Sequence, residues 1–134
     1  MGAAENKQLM QEIFAGLSEG NSRPFVESMA DGFRWTVTGT TKWSKTYEGK
    51  QAVLTELFAQ LRTRIDGSIR TTAQRFIAEG ECVVVEAHGN NTTKKGKPYN
   101  NNYCFVFRIS GGKLEELTEY LDTELVTEAL GDAG

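Results

Sequence analysis

The residues of this chain best suited to chemistry lie between Glu81 and Asp122, where three strand-like runs follow one another and end in Glu119-Tyr120-Leu121-Asp122. Laid side by side as antiparallel strands, they would gather Tyr103 and Tyr120, the rings of Phe105 and Phe107, and the Asp122 carboxylate on one face. A carboxyl group beside an aromatic wall is poorly solvated. Its pKa rises and it becomes able to take up and release a proton near neutrality. Tyr103 and Tyr120 would then polarise a substrate oxygen. A second role for Asp122 is open, because Thr123 to Glu128 reads as a short helix and aspartate is a favoured N-cap, worth about 1 kcal/mol.

Other chemistries find fewer parts. His88 is the single histidine, and Cys82 and Cys104 fall in separate strands without metal-ligand spacing, so neither a metal nor a redox cofactor is expected. A His88, Cys104 and Glu119 row would fall on the sheet face opposite Asp122 and is expected at a surface or subunit contact. The formal net charge of −3 offers no general attraction to nucleic acid. Lys94, Lys95 and Lys97 flank Gly96, as at a solvated hairpin tip. No export signal and no apolar run of membrane-spanning length is visible, so a cytoplasmic protein without membrane contact is expected.

The positioning elements follow from periodicity. With 134 residues, 39% hydrophobic and 25% charged, the chain should fold as one domain over 1–134. Leu9, Met10, Ile13, Phe14 and Leu17 recur at helical spacing over residues 5 to 18. Ser22 and Pro24 open a second short helix carrying Phe25, Val26 and Met29. Phe33, Trp35 and Val37 alternate with polar residues as a half-buried strand. Trp43 and Tyr47 stand in a polar loop, where large rings need cover, and could form a lid. Val53, Leu54, Leu57, Phe58 and Leu61 mark what should be the longest helix, over 49 to 64. Ile69 to Ala78 then reads as a strand before the final three. Helices followed by a strand meander predict an α+β fold, with helices packed on one face of a curved antiparallel sheet.

The turns set an expected register. Gly111-Gly112 suits a two-residue primed hairpin, pairing Ile109 with Leu114, Phe105 with Thr118, Tyr103 with Tyr120 and Asn101 with Asp122. The hairpin before it is expected to pair Val85 with Phe107, Ala87 with Phe105 and Gly89 with Tyr103. The inner face then holds Val85, Ala87, Gly89, Tyr103, Phe105, Phe107, Thr118, Tyr120 and Asp122. Small residues opposite large rings suggest a hollow. The outer face would hold Leu117, Glu119 and an Arg108–Glu115 pair.

Tyr99-Asn100-Asn101-Asn102-Tyr103-Cys104-Phe105-Val106-Phe107-Arg108-Ile109, with Gly-Lys-Leu and Glu-Tyr-Leu-Asp-Thr-Glu-Leu after it, resembles the C-terminal signature of SnoaL-like proteins. These are often labelled ketosteroid-isomerase-related and belong to the nuclear transport factor 2-like superfamily. Trp35-Thr36-Val37-Thr38-Gly39 and Tyr47-Glu48-Gly49-Lys50 fall where that family places its first strand and the approach to its long helix. The resemblance covers essentially the whole chain. It implies a cone of curved sheet closed by about three helices around a deep apolar pocket, often in a homodimer joined through the sheet. It also implies that Asp122 matches the final-strand aspartate that serves as acid or base in SnoaL-like cyclases and as water-activating base in limonene-epoxide hydrolases. Two departures matter. Ala87-His88-Gly89 stands where the hydrolases carry Arg-x-Asp. The first helix has Phe14 but no tyrosine, and Trp35 to Thr46 holds no carboxylate, so the ketosteroid isomerase site is not reproduced.

The expectation is a pocket protein acting by acid–base catalysis (isomerase-, cyclase- or hydrolase-like) on an apolar ring-containing molecule. Asp122, Tyr103 and Tyr120 would be the catalytic groups, and Trp35, Val37, Trp43, Tyr47, Phe58, Ala87, Phe105 and Phe107 the ligand contacts. The alternative is a module of the same fold that binds a small ligand, or another copy, without chemistry.

Overall fold

The computed structural model describes residues 2–134. Helix α1 (Ala3–Ser18) turns Met10, Ile13 and Phe14 into the core and lies mainly against β4, the strand Thr71–Glu79. At 16 residues it is the longest regular helix. Helix α2 (Arg23–Ser28) carries Pro24 in its first turn, as expected. Its Ser22 side chain makes no cap. Instead Asn21 Oδ1 accepts from the Arg23 amide at 3.1 Å, and Met29 already belongs to the next strand.

Strand β1 (Met29–Val37) is followed by β2 (Thr46–Glu48). Residues 50–64 are helical but not uniform: α3 (Lys50–Ala52) passes into a π-helical stretch, Val53–Phe58, and then into α4 (Ala59–Arg64). The short strand β3 (Ile65–Asp66) pairs with β6 (Thr92–Thr93). The remaining strands are β5 (Cys82–Gly89), β7 (Asn102–Ser110) and β8 (Lys113–Leu121), and α5 (Thr123–Leu130) ends the fold. Among the described residues, no helix is long and apolar enough to cross a membrane.

The main sheet has six strands in the order β2-β1-β8-β7-β5-β4. The expected α+β architecture is present, with one correction. The sheet is mixed rather than wholly antiparallel, because β1 runs parallel to β8. Such a pair needs a long crossover, and everything between Val37 and Lys113 supplies it. Register shifts interrupt the β1–β8, β4–β5 and β7–β8 pairings. Bulges of this kind bend a sheet and tighten its twist. The concave side receives the apolar residues of α1, α2 and the 50–64 helices.

The register decides the chemistry. Gly111 and Gly112 have φ of 59° and 75°, as a primed turn requires. The pairs beside the turn, Ser110 with Lys113 and Ile109 with Leu114, are present, and the second is as expected. One residue later the ladder slips: Arg108 faces Glu116, not Glu115, and every later pair moves by one. Phe105 therefore faces Glu119 and Tyr103 faces Leu121. A slip of one reverses the faces, since side chains alternate with period two.

The cause lies in Leu114-Glu115-Glu116-Leu117. Strict alternation would aim Glu116 inward and Leu117 outward. With Glu115 as the surplus residue, both leucines are buried, at 0% and 1% exposure. Keeping one leucine out of water is worth about 2 kcal/mol, and Glu116 stays outside between Arg34 (2.7 Å) and Arg108 (3.1 Å). Between β5 and β7 the offset from expectation is two residues, with Val85 facing Phe105 and Ala87 facing Tyr103. That slip leaves the faces unchanged.

Candidate active site

Inside the concave face lies a cavity of about 390 Å³. Its aromatic wall is continuous. Tyr103 and Phe105 stack at 4.9 Å between ring centres, Phe14 meets Phe105 at 5.8 Å, and Trp35 meets Phe58 at 5.6 Å and Phe25 at 5.7 Å. Val37, Trp43 and Phe107 also border the space. Of the residues expected to contact a ligand, Trp35, Val37, Trp43, Phe58, Phe105 and Phe107 line the cavity, as does Tyr103.

Tyr120, Asp122, Tyr47 and Ala87 do not line it, each for a physical reason. Tyr120 is 52% exposed on the outer face, because the slip in β8 turned it there. Asp122 is the N-cap of α5: its Oδ1 accepts the amides of Glu124 (3.1 Å) and Leu125 (3.2 Å). Its backbone is held as well, with Asn101 Oδ1 accepting the Asp122 amide and Asn101 Nδ2 donating to the Asp122 carbonyl. The cap is therefore its structural role. Tyr47 is buried and donates its hydroxyl to the Trp43 carbonyl at 3.1 Å. Ala87 is buried in the sheet opposite Tyr103. Trp43 is a fixed wall and no lid. Its Nε1 donates to the Gly131 carbonyl at 2.9 Å, and the Arg64 guanidinium covers its ring at 4.9 Å.

The carboxyl group in the cavity is Glu119. It lies 8% exposed between leucine positions on β8, and its Oε1 accepts the Trp35 indole N–H at 2.9 Å. Lack of hydration raises its pKa from 4.5 to about 7, with the indole hydrogen bond pulling the other way. It is thus the group expected of Asp122, displaced by three residues and by one change of face. The leucine pair around Glu115 and Glu116 was the sequence signal for it.

Two phenols share the space. Burial pushes Tyr99 up to about 12 and Tyr103 well above its ordinary value, and the Glu119 charge adds to both. Both therefore remain O–H donors throughout the neutral range. Tyr99 Oη also accepts from Asn101 Nδ2 at 3.3 Å, which leaves its own proton free to point elsewhere. Tyr99 was not singled out as a site residue, although it and Asn101 continue the alternation of Tyr103, Phe105 and Phe107, because both precede the first residue of β7. Asn91, also lining the cavity, grips the Arg70 backbone through both ends of its amide, at 2.9 and 3.1 Å.

His88, Cys104 and Glu119, expected together on the outer face, do not share it. His88 Nδ1 pairs with Asn102 Oδ1 at 2.9 Å, and Cys104 is a half-buried free thiol facing Glu86 across the ladder. Glu119 points to the other side.

Similar folds are found among solved structures. An NTF2-like protein of unknown function from Burkholderia pseudomallei K96243 superposes with a TM-score of 0.80 at 20% identity, covering 93% of this chain and 96% of its own. TerC, co-crystallised with polyporic acid, gives 0.78 at 20% identity over 93% and 97%. An LEH-like epoxide hydrolase of M. tuberculosis gives 0.73 at 16% identity over 96% and 90%. At these identities the likeness is one of fold. No curated protein matches in sequence. The sequence profile of the SnoaL-like domain, however, matches residues 10–117, and the chain belongs to that family.

Proposed function

We propose that the cavity is the active site of an acid–base enzyme in which Glu119 transfers a proton to and from an apolar, ring-containing molecule. The observation that carries this is the placement of one carboxyl group, near pKa 7, in a wall otherwise built of aromatic and aliphatic side chains. A base with that pKa is half ionised at neutral pH, which suits both halves of a proton-transfer cycle. Trp35 fixes the orientation of the carboxyl through its indole N–H. Tyr99, held protonated and accepting from Tyr103, donates to the substrate oxygen on which negative charge develops. No water need enter for this chemistry, and the apolar wall strengthens each donor.

The cavity is of a size for one small ring system. Among similar folds, one is an LEH-like epoxide hydrolase and another was crystallised with polyporic acid, so the fold accommodates small molecules. One observation favours carriage without chemistry: among the described residues Glu119 is the one carboxyl lining the cavity, with no second acid there to relay its proton. We also propose that two copies pair through the outer sheet face, where Tyr120 and Ile77 are exposed.

The test is deuterium uptake. A panel of apolar ring ketones incubated in heavy water should exchange an acidic C–H in the presence of the protein. Glu119→Gln should reduce that rate by about a hundredfold or more while still binding the compound. Asp122→Asn should leave it near wild type. Equal exchange by wild type and Glu119→Gln would remove the proposal, and binding without exchange in either would establish the carrier.

A further inference from the structure

The arginines of this chain divide into two groups. Arg23, Arg34, Arg75 and Arg108 each hold a carboxylate. Arg64 spends its guanidinium on the carbonyls of Gln60, Leu130 and Asp132. Among the described residues Arg62 and Arg70 hold neither; Arg62 lines the cavity and Arg70 packs beside its lining. Arg62 is exposed. Arg70 packs at Gly20, another lining residue: a Cβ placed there would come 3.5 Å from the guanidinium carbon. The backbone of Arg70 is clamped by Asn91, so this cation stands on a fixed base. Glu19 and Asp66, the acids adjacent to the rim in sequence, form no ion pair with either arginine.

An unpaired guanidinium is an efficient carboxylate receptor, because its forked donors match the two oxygens. Deeper in, the walls are largely apolar and, apart from Arg62, the one charged side chain among the described lining residues is the Glu119 carboxyl, so the interior offers a permanent anion no cation. The polarity therefore runs from a cationic rim to an apolar interior. We infer that the ligand is an amphiphilic acid: an apolar ring body inside the cavity and a carboxylate at the mouth, bound between Arg62 and Arg70. This rests on the reading of the cavity as a ligand site, and it adds the ligand's charge and direction of entry. The ring end would lead inward toward Glu119, leaving the acid group at the solvent edge.

The experiment compares two probes that differ only in charge, 2-naphthoate and its neutral methyl ester, by calorimetric titration at neutral pH. For the Arg62→Gln/Arg70→Gln double variant, the naphthoate should weaken by about tenfold while the ester stays within about twofold of wild type. Raising the salt concentration should weaken the naphthoate alone. Both substituted side chains are at the surface, and a thermal melt confirms folding. Equal loss of both probes, or loss of neither, overturns the inference. Failure of wild type to bind either probe would overturn it together with the cavity reading. If Glu119→Gln exchanges protons like wild type but the naphthoate result stands, only the acid–base proposal falls.

Discussion

A buried acid leaves a signature in stability as well as in catalysis. Folding raises the Glu119 pKa from 4.5 to about 7, so the native state holds this proton more tightly than the unfolded chain does. The stabilisation is complete below the unfolded value and is lost as pH rises through the native one. Across the window from 4.5 to about 7 the group should withdraw about 3 kcal/mol of stability. Urea denaturation over that range should show this loss in wild type, and its absence in Glu119→Gln. Trp35→Phe keeps the ring but removes the indole donor that lowers the pKa. The carboxyl should then titrate higher still, as read by carbon NMR of labelled glutamate. An unchanged midpoint would mean that the 2.9 Å bond does nothing for the charge. At this scale the sequence pointed to a carboxyl beside aromatic rings but assigned it to Asp122, whereas the carboxyl lining the cavity is that of Glu119. Asp122 offers both a cap and an acid in the abstract, and only the three-dimensional position of the helix that follows decides between them.

The element that determines this placement is the β7–β8 hairpin. Its turn was legible because two glycines with positive φ leave few alternatives. Its ladder was not, because a bulge is a compromise between pairing and burial that a turn rule does not see. Glu115 is the residue left without a partner. Deleting it should therefore restore a regular ladder and keep Leu117, Glu119 and Leu121 on the inner face. The variant should fold and Glu119 should still titrate near neutrality. Recovery of an ordinary carboxylate pKa would show that the register depends on something else. The helices were easier to read, since apolar residues at three- and four-residue spacing give α1 and the 50–64 segment directly. The π-helical turn Val53–Phe58 within that segment was invisible to periodicity. It bears directly on the site, because it carries Leu57 and Phe58 to the cavity wall.

On the scale of the molecule, the two faces of the sheet differ in character. The concave side is committed to the cavity and its aromatic lining. The outer side is uneven, with Tyr120 and Ile77 half exposed and Val84, Cys104, Val106 and Thr118 partly buried between the strands that carry them. A pairing of copies through this surface should appear in sedimentation velocity as a concentration-dependent dimer. Tyr120→Lys should shift the equilibrium toward monomer by about tenfold or more, with the Glu119 titration unaltered. A wild type that sediments as a monomer at all concentrations would dismiss the pairing. The α+β class was readable from element order, whereas the small residues opposite rings, Ala87 and Gly89, do not line the cavity. The parallel placement of β1 beside β8 was not readable, since nothing local reports which distant strand will become a neighbour.

The placement of the indoles has a practical consequence. The chain contains two tryptophans, Trp35 and Trp43, and both border the cavity. All indole emission thus originates at the wall, with one of the two fluorophores hydrogen-bonded to the titrating carboxyl. Occupancy and protonation can both be followed optically in the unlabelled protein, before any substrate has been identified.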